Sequence, residues 1–218
     1  MTEIIKLMEI IGTIAFSISG ALVAIGARLD IFGVCFLACV TAFGGGILRD
    51  VFLGANPPAI FNNLPIFLLS LGVSVMVFVV SYITRKSFDT FKTKTEHINN
   101  IFDAVGLSAF AVIGSEAACT AGFLENGFLV VFLGMITGVG GGIFRDVLIH
   151  TTPYVLKKHI YALAAIFGSL VYFILRKYTN NINLASSVSV IIIFLIRMLA
   201  TKYRWSLPKI HINEDTDK

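Results

Sequence analysis

The sequence has little charge. Lys, Arg, Asp and Glu make up 14% of its 218 residues, whereas an ordinary soluble domain carries about 25%. Hydrophobic residues account for 56% of the chain, and the mean hydropathy is +0.87. So few charged side chains cannot cover a water-exposed surface, which argues against a separate soluble domain. The composition instead favours an all-α membrane protein.

Signatures of catalysis, metal binding and nucleic-acid binding are also missing. The sequence has no GxSxG, HExxH or Walker-type loop, and its three cysteines form no CxxC. Its four histidines lack metal-ligand spacing. The net charge is +4, and the basic residues cluster in loops and the tail, which is the usual topology signal rather than a sign of nucleic-acid binding. We therefore expect no enzyme activity, no cofactor, no metal beyond a transient monovalent cation, no nucleic acid and no soluble protein partner.

Long apolar runs dominate what is present. A helix that spans a bilayer needs about 20 mostly apolar residues. The sequence predicts seven such spans, at residues 4–27, 31–53, 64–84, 101–121, 126–150, 158–176 and 184–203. Residues 85–100 are predicted as a polar cytoplasmic loop, and residues 204–218 as a polar cytoplasmic tail.

One phrase occurs twice, as GGGILRDV in Gly44–Val51 and as GGGIFRDV in Gly140–Val147. Seven of the eight positions are identical, at an offset of 96 residues, and an offset of 94 matches Glu9 with Asp103. We therefore predict two three-helix repeats, residues 1–84 and 101–176, followed by an unrepeated seventh helix at 184–203. Three spans are an odd number, so the second repeat is inverted in the membrane.

The basic residues of the loops predict the orientation. With Arg49, Arg145 and Arg197 left out because they lie deep within spans, one side of the membrane receives three Lys and Arg residues and the other side eleven. The excess marks the cytoplasmic side. We therefore expect the N-terminus outside and the C-terminus in the cytoplasm.

The glycine triplets are the first candidate site. Three consecutive glycines weaken a helix, so we expect both spans to be interrupted there, with freed carbonyls that coordinate a cation or a small zwitterion. Ser17 and Ser19 are weaker candidates, and close helix packing is the structural alternative. The predicted ion pathway comprises Gly44, Gly45, Gly46, Gly140, Gly141, Gly142, Thr41 and Thr137.

Charged residues next to the triplets are the second candidate site. Adjacent residues do not face each other on a helix, so we expect neither Arg49 with Asp50 nor Arg145 with Asp146 to pair. Each arginine could then gate the path by moving between the conduit and an acidic partner. The available acidic partners are Glu9, Asp103 and Glu116, and Arg197 is expected to pack or to snorkel.

The doubled GGGxxRD phrase, the three-plus-three spans with a seventh, and a proline shortly after each phrase resemble the trimeric intracellular cation channel family. The prokaryotic branch, whose paired domain is sometimes labelled a glycine transporter, is the more similar. The resemblance covers about residues 4–203. It implies a bacterial inner-membrane homotrimer in contact with lipids, with a potassium- and sodium-permeable pore in each protomer lined by kinked second and fifth helices. A Lys-Glu-Val motif, which in animal members accompanies phosphoinositide binding, is not found.

Three functions stay open at this point. A passive monovalent-cation channel comes first, and a secondary transporter of a small metabolite such as glycine fits the inverted repeat equally well. A scaffold without transport is third. A continuous polar file would favour the channel, a closed midplane cavity the transporter, and a dry interior the scaffold.

Overall fold

A computed structural model describes residues 2–84, 92–157, 160–203 and 205. This part of the chain contains seven long helices, each long and apolar enough to cross a bilayer, which confirms the predicted fold class. Their bounds are α1 Glu3–Gly26, α2 Ile31–Phe52, α3 Leu64–Ile83, α4 Lys92–Ala118, α5 Gly127–Leu148, α7 Ile160–Thr179 and α8 Ile182–Lys202. A 3₁₀ turn, Ala59–Asn62, follows α2, and a short helix α6, Tyr154–Lys157, follows α5.

Helix α4 differs most from its predicted span. It begins at Lys92, inside the segment predicted as a loop, and a π-helical turn at Cys119–Phe123 extends its other end. Apolar composition marks only the part of a helix that suits lipid, whereas backbone hydrogen bonds can continue through polar residues. Residues 85–91 and most of the predicted tail lie outside the described residues.

Helix α4 is also the centre of the bundle. Its most apolar 18-residue window is 78% buried, against 17% for the peripheral α3. It packs against α1, α5, α7 and α8. Small residues in this window, among them Gly106 and Gly114, let the neighbouring helices approach closely.

The inverted repeat is visible where α1 crosses α4. Gly12 of α1 faces Phe110, and Gly106 of α4 faces Phe16. The two rings stack with their centroids 5.3 Å apart. Because residue 12 meets residue 110 and residue 16 meets residue 106, the two helices run antiparallel and exchange equivalent contacts. The two repeats are therefore related by a pseudo-two-fold axis through this crossing.

Helix α8 breaks this symmetry. It packs mainly against α7 and α4. A methyl group at Gly168 of α7 would overlap Ile193 of α8, so these two helices are in close contact. The seventh helix therefore covers the second repeat much more than the first.

Candidate functional site

The two glycine triplets lie where α2 and α5 cross. A methyl group at Gly45 would overlap the carbonyl oxygen of Thr137, and one at Gly141 would overlap that of Thr41. The two contacts are equivalent in the repeat, so the pseudo-two-fold axis also passes through this crossing. Only residues without a Cβ atom allow two helix backbones to approach so closely.

Both helices are continuous through the triplets. α2 is helical from Ile31 to Phe52 and α5 from Gly127 to Leu148. The prediction that the triplets interrupt the helices and free their carbonyls is therefore wrong. Glycine costs about 1 kcal/mol relative to alanine within a helix, and contact between the two backbones offsets that cost. The contacts of Gly45 and Gly141 agree with the alternative interpretation, in which the glycines allow close packing of the two helices.

Thr41 and Thr137 are buried at the same crossing. Each hydroxyl donates a 2.6 Å hydrogen bond to the carbonyl oxygen four residues earlier in its own helix. Gly20 of α1 lies against Thr41, because a methyl group there would be 2.6 Å from Oγ1, and Gly114 of α4 lies against Thr137 in the same way. Each hydroxyl oxygen keeps acceptor capacity, so a role for this pair in an ion pathway stays a prediction.

Each arginine of the repeated phrase pairs with the aspartate that follows it. Arg49 Nη2 lies 2.7 Å from Asp50 Oδ1, and Arg145 Nε lies 2.9 Å from Asp146 Oδ1. The expectation that these neighbours would not pair is therefore wrong. Adjacent side chains diverge at Cβ, but the flexible arginine stem is long enough to bring its guanidinium back to the next residue.

The same aspartates hold the chain that follows each helix. Asp50 Oδ2 accepts the backbone N–H of Ala59 at 2.8 Å, and Asp146 Oδ2 accepts that of Tyr154 at 2.7 Å. Each bond satisfies an N–H group at the start of a short helix, which has no partner within that helix. One carboxylate thus fixes both the arginine and the returning chain in each repeat.

Arg145 is the centre of a sealed group of side chains in the second repeat. Its side chain is 4% exposed, and Nη1 donates to Asp103 Oδ1 at 2.9 Å and to Ser19 Oγ at 2.8 Å. Ser19 in turn donates to Asn99 Oδ1 at 2.8 Å. A buried arginine in a membrane helix is costly unless it is paired, and these contacts supply its partners.

Arg197 of α8 completes this group, which we call the second-repeat cluster: Arg145, Asp146, Asp103, Ser19 and Arg197. The Arg197 guanidinium lies 4.6 Å from the Tyr161 ring centroid, and Nη2 is 3.9 Å from Asp103 Oδ2. Arg197 is only 2% exposed, so the snorkelling alternative is wrong and the packing alternative describes it. Two arginines and two aspartates leave the cluster without net charge.

The first-repeat cluster consists of Glu9, Thr13, Arg49, Asp50 and Asn63, which line a cavity of about 150 Å³. Ten residues of α1 separate Glu9 of the first-repeat cluster from Ser19 of the second-repeat cluster, about 15 Å along the helix axis. The two clusters therefore lie at opposite ends of the bundle formed by α1, α2, α4 and α5. The Arg49 side chain is 14% exposed, against 4% for Arg145. The first repeat therefore has a cavity, lined by these polar side chains and by apolar ones, where the second repeat has a packed group of side chains.

Glu116 is not a partner of the repeated arginines. It accepts a hydrogen bond from the Tyr172 hydroxyl, and its Oε2 lies 3.3 Å from Arg176 Nε. The expectation for Glu116 is therefore wrong, since Arg49 and Arg145 are already paired with the aspartates that follow them. Of the three proposed acidic partners, Asp103 is the one that forms an ion pair with a repeated arginine.

Four residues in these clusters or in contact with them were not singled out from the sequence: Thr13, Asn63, Asn99 and Tyr161. Asn99 and Thr13 each lie four residues from an acidic residue of the pseudo-symmetric pair, on the same helix face. That spacing is the signal that could have found them. Tyr161 gives no such signal, because only the packing of α7 brings its ring to Arg197.

The fold and the paired clusters define an inverted-repeat membrane protein of the kind found among transport proteins. The family described as Glycine transporter matches residues 6–82 and again residues 100–177. The chain belongs to this family, and its likeness to solved prokaryotic structures identifies it as a member of the trimeric intracellular cation (TRIC) channel family.

Relatives and solved structures cover almost the whole chain. Inner membrane protein YadS of Escherichia coli K12 is 36% identical over 211 residues, 95% of this chain and 97% of its own. Membrane protein YvgT of Bacillus subtilis is 34% identical over 93% and 95% of the two chains. A prokaryotic TRIC channel crystallised in 0.5 M KCl is 39% identical over 95% and 100%, with a TM-score of 0.83. The TRIC orthologue of Rhodobacter sphaeroides is 31% identical over 94% and 100%, with a TM-score of 0.84.

Proposed function

We propose that this protein is a passive channel for monovalent cations, potassium above all, with an ion pathway within each protomer of a homotrimer. Solved structures described as TRIC cation channels support the channel, and one described as trimeric supports the assembly. The exposed apolar side chains of α3 then face lipid or a neighbouring protomer. The bacterial inner membrane is the proposed location, as the name of YadS indicates for that relative.

The observation that carries this proposal is the pair of polar clusters at opposite ends of the α1–α2–α4–α5 bundle. Charged groups inside a membrane protein are costly and mark ion paths. Between the clusters, the hydroxyls of Thr41 and Thr137 are polar groups at the crossing. The pathway we propose runs from Glu9, past these two threonines, to Ser19 and Arg145.

Arg145 is the gate in this proposal. Its contacts with Asp103 and Ser19 close the second-repeat end. Opening requires the guanidinium to leave Asp103. A charge that crosses the whole field gains about 2.3 kcal/mol per 100 mV, and Arg145 would cross only part of it. The open probability should therefore depend only weakly on the membrane voltage.

The test is electrical. The purified protein in a planar bilayer with a potassium gradient should give unitary currents that reverse near the potassium potential. Arg145→Gln should raise the open probability and flatten its voltage dependence, whereas Lys6→Gln, at an exposed ion pair, should change neither. Unchanged gating in Arg145→Gln would refute the gate. A silent bilayer together with glycine uptake into liposomes would replace the channel by a transporter.

A further inference from the structure

The first-repeat cluster contains a carboxylate whose charge is not matched by an ion pair. Glu9 forms no hydrogen bond, and no ion pair within 4.0 Å, with any residue in the described part of the chain. We propose that this cluster binds one monovalent cation, with the Glu9 carboxylate and the Thr13 hydroxyl as ligands. The proposal rests on the proposed function and adds to it the place where a permeant ion first binds.

The charges of the cluster favour a cation. Arg49 is engaged by Asp50, since both Nε, at 2.8 Å, and Nη2, at 2.7 Å, point to Asp50 Oδ1. Arg49 is the basic side chain that lines the cavity with Glu9 and Asp50, and one arginine cannot balance two carboxylates. The first-repeat cluster therefore has a net charge of −1, whereas the second-repeat cluster is neutral. In a cavity with low-dielectric walls, such a charge concentrates cations.

Thr13 gives an independent indication of a ligand. It is 0% exposed, and its hydroxyl has no hydrogen-bond partner among the described residues. Other threonines in these helices donate to the carbonyl four residues earlier, as Thr41, Thr137 and Thr179 do at 2.6 Å. A buried hydroxyl without a partner is costly. Thr13 lies one turn after Glu9 on the same face of α1, and both line the cavity.

The size of the cavity suits a partly hydrated ion. Its volume of about 150 Å³ corresponds to roughly five waters at about 30 Å³ each. The Asn63 amide also lines it and adds an oxygen ligand of the type that alkali cations accept. Divalent cations bind to several carboxylates or demand a rigid octahedral shell, whereas this site has one uncommitted carboxylate. A monovalent cation is therefore the better match.

The pseudo-symmetry supports the same assignment. Asp103, the repeat mate of Glu9, is neutralised by Arg145 Nη1 at 2.9 Å. Both repeats thus place a carboxylate at the same point of their first helix. In the second repeat Arg145 neutralises this carboxylate, and in the first repeat a cation from solution neutralises it.

The first experiment measures binding without transport. Thermal unfolding of the detergent-solubilised protein is compared in potassium chloride and in choline chloride at equal ionic strength. Potassium should raise the Tm of the wild type, since a ligand that binds only the folded state stabilises it. Glu9→Gln should abolish that rise, and the nearly isosteric Thr13→Val should reduce it. Glu3→Gln is the matched control, because Glu3 lies on the same helix with a side chain 90% exposed.

The second experiment measures conduction. In about 10 mM potassium chloride, where charges are poorly screened, Glu9→Gln should lower the unitary conductance, by about tenfold at the low end of known focusing effects. In about 1 M salt, where the Debye length is about 3 Å, the difference should disappear. Glu3→Gln should match the wild type in both.

The two experiments separate the two proposals. A wild type that gives no current but keeps a Glu9-dependent potassium stabilisation would refute the channel and retain the site. A wild type that conducts, with Glu9→Gln and Thr13→Val equal to it in conductance at low salt and in potassium stabilisation, would overturn the cation site and leave the channel intact.

Discussion

The sharpest prediction concerns two neighbouring glycines of one triplet. In Gly45→Ala the new methyl group would lie 2.9 Å from the carbonyl carbon of Thr137 and closer still to its oxygen. Ordinary carbon contacts are about 3.5–4.0 Å, so α2 and α5 must separate by about 1 Å. A gap of that size forfeits roughly a quarter to a half of each contact. We expect a loss of about 1–3 kcal/mol, the usual cost of overpacking.

Gly46→Ala is the matched control. The nearest atom to its methyl group would be Arg49 Nη2 at 3.8 Å, an ordinary contact. Alanine also favours the helix over glycine by about 1 kcal/mol. The two adjacent substitutions, chemically identical, should therefore change the free energy of unfolding in opposite directions.

Thermal unfolding in detergent measures the difference. A change of 1 kcal/mol shifts the Tm of a chain of this length by about 2–4 °C. Gly45→Ala should lower the Tm by about 2–12 °C, and Gly141→Ala, its repeat mate, should do the same. Gly46→Ala should leave the Tm unchanged or raise it. Equal shifts for Gly45→Ala and Gly46→Ala would refute the close contact between α2 and α5.

Two further substitutions test the interior of the bundle. Asp103→Asn leaves the buried Arg145 with one carboxylate fewer and should cost about 3–5 kcal/mol, seen as a lower Tm; a Tm equal to that of the wild type would contradict the ion pair. Phe16→Ala removes the ring stacked on Phe110 and should cost about 3–5 kcal/mol. Phe128→Ala, at a side chain 81% exposed, should cost less than about 0.5 kcal/mol, and equal losses at the two positions would contradict this packing.

Much of the fold follows from apolar length and internal repetition. The predicted span at residues 64–84 and the observed α3, Leu64–Ile83, differ by one residue at one end, because the change from apolar to polar composition coincides with the helix end. Helix α4 could not be bounded in this way, because it continues into polar residues as far as Lys92. Composition indicates where the lipid-facing part of a span ends, whereas backbone hydrogen bonding determines where the helix itself ends.

The contents of the site were less predictable. The repeated phrase located both glycine triplets and both arginines, because a doubled pattern stands out in a chain this apolar. It did not show that Arg49 turns back to Asp50, since a helical-wheel argument treats side chains as directions and ignores the reach of arginine. It also did not show that Glu9 and Asp103, equivalent in the repeat, have different environments.

The class of protein, the seven spans, the inverted repeat and the family could be read from the sequence, because each depends on properties that add up along the chain: hydropathy, parity of spans and spacing. What the repeated residues do depends instead on how the helices pack. Glycines that weaken an isolated helix permit the contact between α2 and α5, because two backbones meet there. The difference between Glu9, beside a cavity, and Asp103, bound to Arg145, depends on side chains that come together from separate helices, and no single stretch of sequence contains that information.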